Sequence, residues 1–110
     1  MSTTDAQMLK GLVTMLLLHL LKSHEDYGYS LVVRLQEAGL TDMAEGTVYP
    51  ALARAEAAGH VESSLVQSER GPARKYYRLT ESGSVHLTRS LDNWRQLTSV
   101  VTALTEGPQA

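Results

Sequence analysis

The stretch that most constrains this chain runs from residue 45 to 59, Glu-Gly-Thr-Val-Tyr-Pro-Ala-Leu-Ala-Arg-Ala-Glu-Ala-Ala-Gly. Its spacing predicts a short helix with Val48, Leu52 and Ala55 on one side. Thr47, Tyr49, Pro50 and Arg54 are left for another side. Pro50 is expected early in the helix, where a missing N–H is tolerated. Gly59 stands where a helix ends in a left-handed turn. Such a helix is not stable alone. The rest of the chain must cover one face, and the second face is left for a partner.

The material for that cover is limited. A chain of 110 residues makes one domain with a modest core. It is 43% hydrophobic but has no Phe and one Trp, so Leu, Val, Ala and Met must fill the interior. The absence of cysteine excludes disulfides, thiolate metal sites and thiol catalysis, and suits a reducing cytoplasm. No apolar run reaches the roughly 18 residues of a membrane helix. The first five residues lack the basic region of a secretory signal.

Thr4-Asp5-Ala6-Gln7 reads as a capping box opening a helix to about Lys22. Its apolar stripe is Leu9, Leu12, Val13, Leu16, Leu17, Leu20 and Leu21, and Met8, Met15 and Leu18 carry apolar character round the cylinder. A helix this apolar needs two surfaces to pack against, one of them expected to be a second subunit. Asp26 is the expected cap of a second helix reaching Ala38, with Tyr27 and Tyr29 in its first turn, Leu31, Val32 and Leu35 inward, and Gly39 as the stop. After a tight connection, Asp42 or Thr47 is the expected cap of the 45–58 helix. Two short helices joined this way form a helix-turn-helix candidate.

Beyond Gly59 the period changes. Residues 60–66 read as a strand with Val61 and Leu65 on one face, and residues 67–72 as a polar turn. Residues 74–79 read as a second strand, with Tyr77 and Leu79 on one face and Arg74, Tyr76 and Arg78 on the other. Thr80 caps a last helix that Gly83 weakens locally. Its stripe is Leu87, Leu91, Trp94, Leu97, Val101 and Leu104. From 80 to 104 it would be about 37 Å long, more than the small domain can cover, and residues 106–110 should fray. The expected fold is mainly α with a small β-hairpin: a winged helix-turn-helix over residues 1–79, with its recognition helix at about 45–58 and its wing at 60–79. Residues 80–110 form a C-terminal dimerisation helix and tail.

Net charge is −2, but residues 70–78 hold Arg70, Arg74, Lys75 and Arg78 and no acid, so this window is +4 and the remainder −6. A compact basic patch on an acidic protein is a local electrostatic footprint.

Three motifs in order, Tyr27-Gly28-Tyr29-Ser30-Leu31, residues 45–52 and residues 71–80 (Gly-Pro-Ala-Arg-Lys-Tyr-Tyr-Arg-Leu-Thr), resemble those of PadR-family transcriptional regulators. The resemblance covers about residues 9–104 and matches the compact subfamily with one helix after the wing. Ala44 stands where such proteins often have a capping Ser, and Ala55 where they usually have Leu. The resemblance implies a bacterial homodimeric repressor, dimerised through its first and last helices. The recognition helices enter major grooves of an inverted-repeat operator, and the wings follow the backbone or minor groove. Many such relatives are released by phenolic or other aromatic effectors, some stacked on an interfacial Trp.

The candidate DNA contacts are Gly46, Thr47, Tyr49, Pro50, Arg54, Arg70, Arg74, Lys75 and Tyr76. For Arg54 the competing reading is a solvated side chain paired within its helix. Tyr77 is expected to pack with Leu79, and Tyr27 and Tyr29 to support the helix pair. The candidate dimer contacts are Leu9, Leu12, Leu16, Leu91, Trp94, Leu97, Val101 and Leu104. Trp94 has two readings, a dimer anchor or a platform for an aromatic or apolar effector, with Met8, Met15 and Leu18 as further effector candidates. His60 and His86 read as isolated, and His19 and His24 do not make a metal site. No nucleophile with a base is visible, which argues against an enzyme, and no cofactor is called for. The alternative function is a winged-helix module for protein binding, motivated by the −6 remainder.

Overall fold

In the computed structural model, which describes residues 6–107, the first apolar stretch is two helices. Helix α1 (Ala6–Lys10) ends at Gly11, and α2 (Val13–Ser23) begins after it. At the break Gly11 N–H donates to Met8 O at 3.3 Å and Leu12 N–H to Leu9 O at 2.9 Å, the i to i−3 pattern of a tightened turn. The expected continuous helix is therefore wrong. Gly11, poor in a helix interior, marks the break. Thr4 and Asp5 of the proposed capping box lie outside the described residues.

Residues Asp26–Tyr27 form a short strand, β1, directly before α3 (Gly28–Glu37). Asp26 is not the N-cap, a position held by Tyr27 without a side-chain bond. Instead its buried carboxylate accepts from Tyr27 N–H at 2.9 Å, Ser30 Oγ at 2.7 Å and Arg34 Nη1 at 3.0 Å. These bonds satisfy a charge that would be costly to bury alone. They also tie the strand to the first two turns of α3.

Helices α3 and α4 (Glu45–Ala57) end in the same way. Gly39 (φ +121°) and Gly59 (φ +80°) adopt left-handed conformations. The residue after each returns a 6→1 bond, Leu40 N–H to Leu35 O at 3.0 Å and His60 N–H to Ala55 O at 2.9 Å. This is the Schellman stop expected of both glycines. At the start of α4, Ala44 is the N-cap and makes no side-chain bond, so neither Asp42 nor Thr47 caps it. Pro50 lies in the second turn rather than the first, which leaves Gly46 C=O without its helical donor; both residues are exposed. Val48, Ala51, Leu52 and Ala55 are buried, the face the spacing predicts plus one alanine.

Strands β2 (Val61–Val66) and β3 (Arg74–Leu79) form the wing, and β1 pairs with β3 to make a three-stranded antiparallel sheet of order β1-β3-β2. Val61 is buried, but Leu65 is 74% exposed. The wing runs past the core, so alternation along β2 does not make both residues internal. Tyr77 is buried, with Leu79 packed against the core.

Helix α5 (Glu81–Glu106) opens with Thr80, whose Oγ1 accepts from Gly83 N–H at 3.0 Å and donates to Gly59 O at 2.7 Å. Gly83 is buried, and a Cβ there would lie 2.0 Å from His60 O. The residue that weakens the helix thus lets it approach the turn after α4. Leu87 is in the core and Leu91 half-buried against it, and every residue from 92 to 106 is exposed.

Candidate nucleic-acid interface

Three segments converge beside the exposed face of α4. Tyr27, Gly28, Tyr29, Tyr49, Arg74, Lys75 and Tyr77 line an open recess of about 530 Å³. The Arg74 guanidinium lies 4.5 Å above the Tyr27 ring, and Tyr27 packs against Tyr76 with centroids 5.3 Å apart. Stacking of this kind orients a guanidinium while leaving its donors free. Tyr49 leans over Gly28, where a Cβ would meet its ring at 2.3 Å. Any side chain at position 28 would displace that ring. The Tyr49 hydroxyl is pushed above the usual tyrosine range, first by burial and then by Glu45, so it stays protonated as a donor.

The wing cations divide into two kinds. Lys75 Nζ is 3.2 Å from Glu56 Oε1 on α4, and Arg78 pairs with Glu62 across β2 and β3. Arg70 and Arg74, with Arg54 on α4, are exposed and enter no ion pair among the described residues. The reading of Arg54 as paired within its helix is therefore set aside. The window of four cations is internally half-neutralised, which counting charges along the chain does not reveal. Gly46, Tyr49 and Pro50 are exposed and Thr47 half-exposed, all at the start of α4. Tyr76 is half-buried and tilted against the Tyr27 ring. The sequence reading missed Tyr27 as a platform, Gly28 as the floor under Tyr49, and Glu56 as the acceptor for Lys75. The first two lie in a motif it had singled out; the third has no local signal.

The candidate effector and dimer residues fall elsewhere. A recess of about 300 Å³ between the α1–α2 break and α5 is lined by residues including Leu12, Met15, His86, Asn93, Trp94 and Leu97. Met15 and Trp94 therefore line the same recess. Leu18 does not: it is fully buried in the core. Met8, 73% exposed, does not line it either. Of the dimer candidates, Leu9 is buried and Leu12, Leu16 and Leu91 pack against the chain's own core, whereas Trp94, Leu97, Val101 and Leu104 are exposed. His60 and His86 are not isolated: their rings stack with centroids 4.2 Å apart and planes within 13°.

A helix-turn-helix whose second helix presents an exposed face beside a basic β-wing defines a winged-helix DNA-binding regulator. The chain belongs to the transcriptional regulator PadR-like family, whose model matches residues 17–89. It is similar to a PadR-like transcriptional regulator from Bacillus cereus, at 35% identity over 94% of this chain and 100% of that one, with a TM-score of 0.82. A PadR family transcriptional regulator from Eggerthella lenta superposes with a TM-score of 0.84 at 31% identity, covering 93% of this chain and 88% of that one. A Streptococcus transcriptional regulator gives 32% identity and a TM-score of 0.79, covering 91% and 98%. Members of this family are regulators of transcription rather than enzymes. Among the described residues no helix is long and apolar enough to cross a membrane.

Proposed function

We propose that this DNA-binding regulator is a cytoplasmic homodimeric repressor that reads an inverted repeat. The observation that carries this reading is the convergence of Tyr49 of α4 with the Arg74–Tyr27 stack around one open recess, on a chain whose Arg54 and Arg70 are exposed and enter no ion pair among the described residues. Gly46, Thr47, Tyr49, Pro50 and Arg54 contact DNA from α4. Arg70, Arg74 and Tyr76 contact it from the wing, and Lys75 joins them when Glu56 releases it. The half-sites lie about one helical turn, roughly 34–36 Å, apart. Dimerisation uses the exposed stripe of α5 with α1 and the start of α2. The recess beside Trp94 takes an aromatic or apolar effector, which acts by favouring one spacing of the two recognition helices over another.

The test is fluorescence anisotropy with the duplex upstream of the protein's own gene against random duplex, at low and moderate salt. A salt-sensitive preference for an inverted repeat is expected, and its absence defeats the reading in favour of a protein-binding module. Arg74→Ala should reduce affinity and make the salt slope shallower by about 0.9 per wing engaged, while the dimer survives. An unchanged slope removes Arg74 from the interface.

A further inference from the structure

Glu56 sits near the end of α4, on the side turned to the wing, and both its oxygens are engaged. Oε2 accepts from Ser63 Oγ of β2, and Oε1 accepts from Lys75 Nζ of β3 at 3.2 Å. Ser63 and Lys75 belong to one face of the sheet, since Lys75 pairs with Leu65, two residues beyond Ser63. Lys75 also borders the aromatic recess, with its Nζ 5.5 Å from the Tyr77 ring centre. Arg78 is tied within the wing itself, to Glu62, but the partner of Lys75 belongs to the recognition helix.

We infer that Glu56 is a specificity-determining residue: it holds the charge of Lys75 in reserve, so that the lysine reaches a phosphate only on a duplex that docks both α4 and the wing. This rests on the reading of the same face as a DNA interface. Binding to non-cognate duplex is almost entirely phosphate neutralisation, and each phosphate neutralised adds about 0.9 to the salt slope. A lysine already matched by a carboxylate brings almost no net charge to such a duplex. To contact a phosphate it must leave Glu56, which then stands unpaired beside a polyanion. An exposed pair of this kind is weak, so docking on a cognate site is sufficient to open it. Arg70 and Arg74 have no such partner among the described residues and attract any duplex. The wing thus has a constant part and a conditional part. The pair is fully ionised at neutral pH: its hydrogen bonds to Ser63 and Lys75 hold Glu56 below the usual carboxylate range, and the bond to Glu56 holds Lys75 above the usual lysine range.

Glu56→Gln removes the charge and keeps an oxygen for Ser63. On labelled duplex of randomised sequence it should bind more tightly than wild type at low salt. Its slope of log affinity against log salt should be steeper by about 0.9 per wing engaged, so its advantage shrinks about 3.5-fold per wing between about 50 and 200 mM salt. Lys75→Ala should flatten the slope more in the Glu56→Gln background than in wild type. An unchanged slope in Glu56→Gln, or an equal effect of Lys75→Ala in both backgrounds, overturns the inference while the DNA reading stands. If wild type shows no salt-sensitive duplex binding, the DNA reading falls and the inference with it. Should Glu56→Gln fail to fold by circular dichroism, Lys75→Ala alone decides. A loss of the full 0.9 or so in wild type overturns the reserve, and a loss well below it supports the reserve.

Discussion

The α4–wing face and the distal half of α5 are both exposed, yet they are differently finished. Beside α4 the larger apolar side chains of that helix point inward, and the exposed groups include aromatic and charged ones, with Leu65 of the wing the largest apolar exception at 74% exposed. Several already have answering groups: Arg74 stacks on Tyr27, Lys75 meets Glu56 and Arg78 meets Glu62. That face is partly answered by groups of the chain itself. Along α5, Trp94, Leu97, Val101 and Leu104 are between 40% and 77% exposed, with Trp94 and Leu97 bordering the recess at the α1–α2 break. Their spacing of three, four and three residues is that of a coiled-coil seam. Full burial of such a side chain is worth about 1.5–3 kcal/mol, and roughly half or more of that is still to be gained at Leu97, Val101 and Leu104. On the proposed reading, the first face takes a polar ligand that comes and goes and the second a standing apolar partner, the other subunit of the dimer.

The largest effect expected from this contrast follows a change in the seam. Leu97→Glu with Val101→Glu should leave the circular dichroism spectrum intact, because neither side chain is buried within the chain. It should convert the protein to a monomer in sedimentation velocity. DNA affinity should then fall by about 10²-fold or more, since the second half-site no longer gains from the first. A double variant that remains a dimer would show that the seam lies elsewhere and would break the contrast.

A smaller effect tests the joint between the two regions. Gly83→Ala brings a Cβ to within 2.0 Å of the His60 carbonyl, a backbone atom that cannot swing aside. Overpacking of this kind costs about 1–3 kcal/mol, so a thermal melt should lose several degrees or more. Gly46→Ala is the control: its Cβ meets nothing within 4 Å. It should match wild type or gain up to about 1 kcal/mol. Equal melting of both variants would mean that the contact between α5 and the α4–β2 turn does not hold the halves together.

Features carried by one segment were legible in the sequence, and features made between segments were not. Gly39 and Gly59 announced two helix stops because a left-handed turn is a local demand. The buried face of α4 and the Thr80 cap were likewise local. Strand β1 is only two residues long, too short for any alternation to show. Leu65 obeys the period of its strand, but the strand outruns the core that would cover it. The charge of the wing was overcounted because Glu56 and Lys75 are 19 residues apart and meet only when the hairpin folds against α4. Asp26 was expected to cap a helix, whereas its Arg34 partner two turns away gave no signal in the capping pattern.

The smallest effect concerns the same joint, where His60 after α4 stacks on His86 of α5. Burial, and then the neighbouring His86, push the His60 imidazole below its ordinary value of 6.5. The folded state therefore resists the proton that the unfolded chain accepts. Above about pH 6.5 neither state binds it, and the pair has no effect. As the pH falls through 6.5 the unfolded chain binds more protons, and stability declines until the folded His60 is protonated too. His60 is near solvent, so screening should keep the loss below about 1 kcal/mol. Urea midpoints at pH 7.5 and 5.5 measure it. His86→Gln should remove the like-charge share and leave that of burial, so the decline should be shallower than in wild type. An equal decline in the variant would mean that the rings stack without sensing each other's charge, and that burial alone sets the pH dependence of the joint.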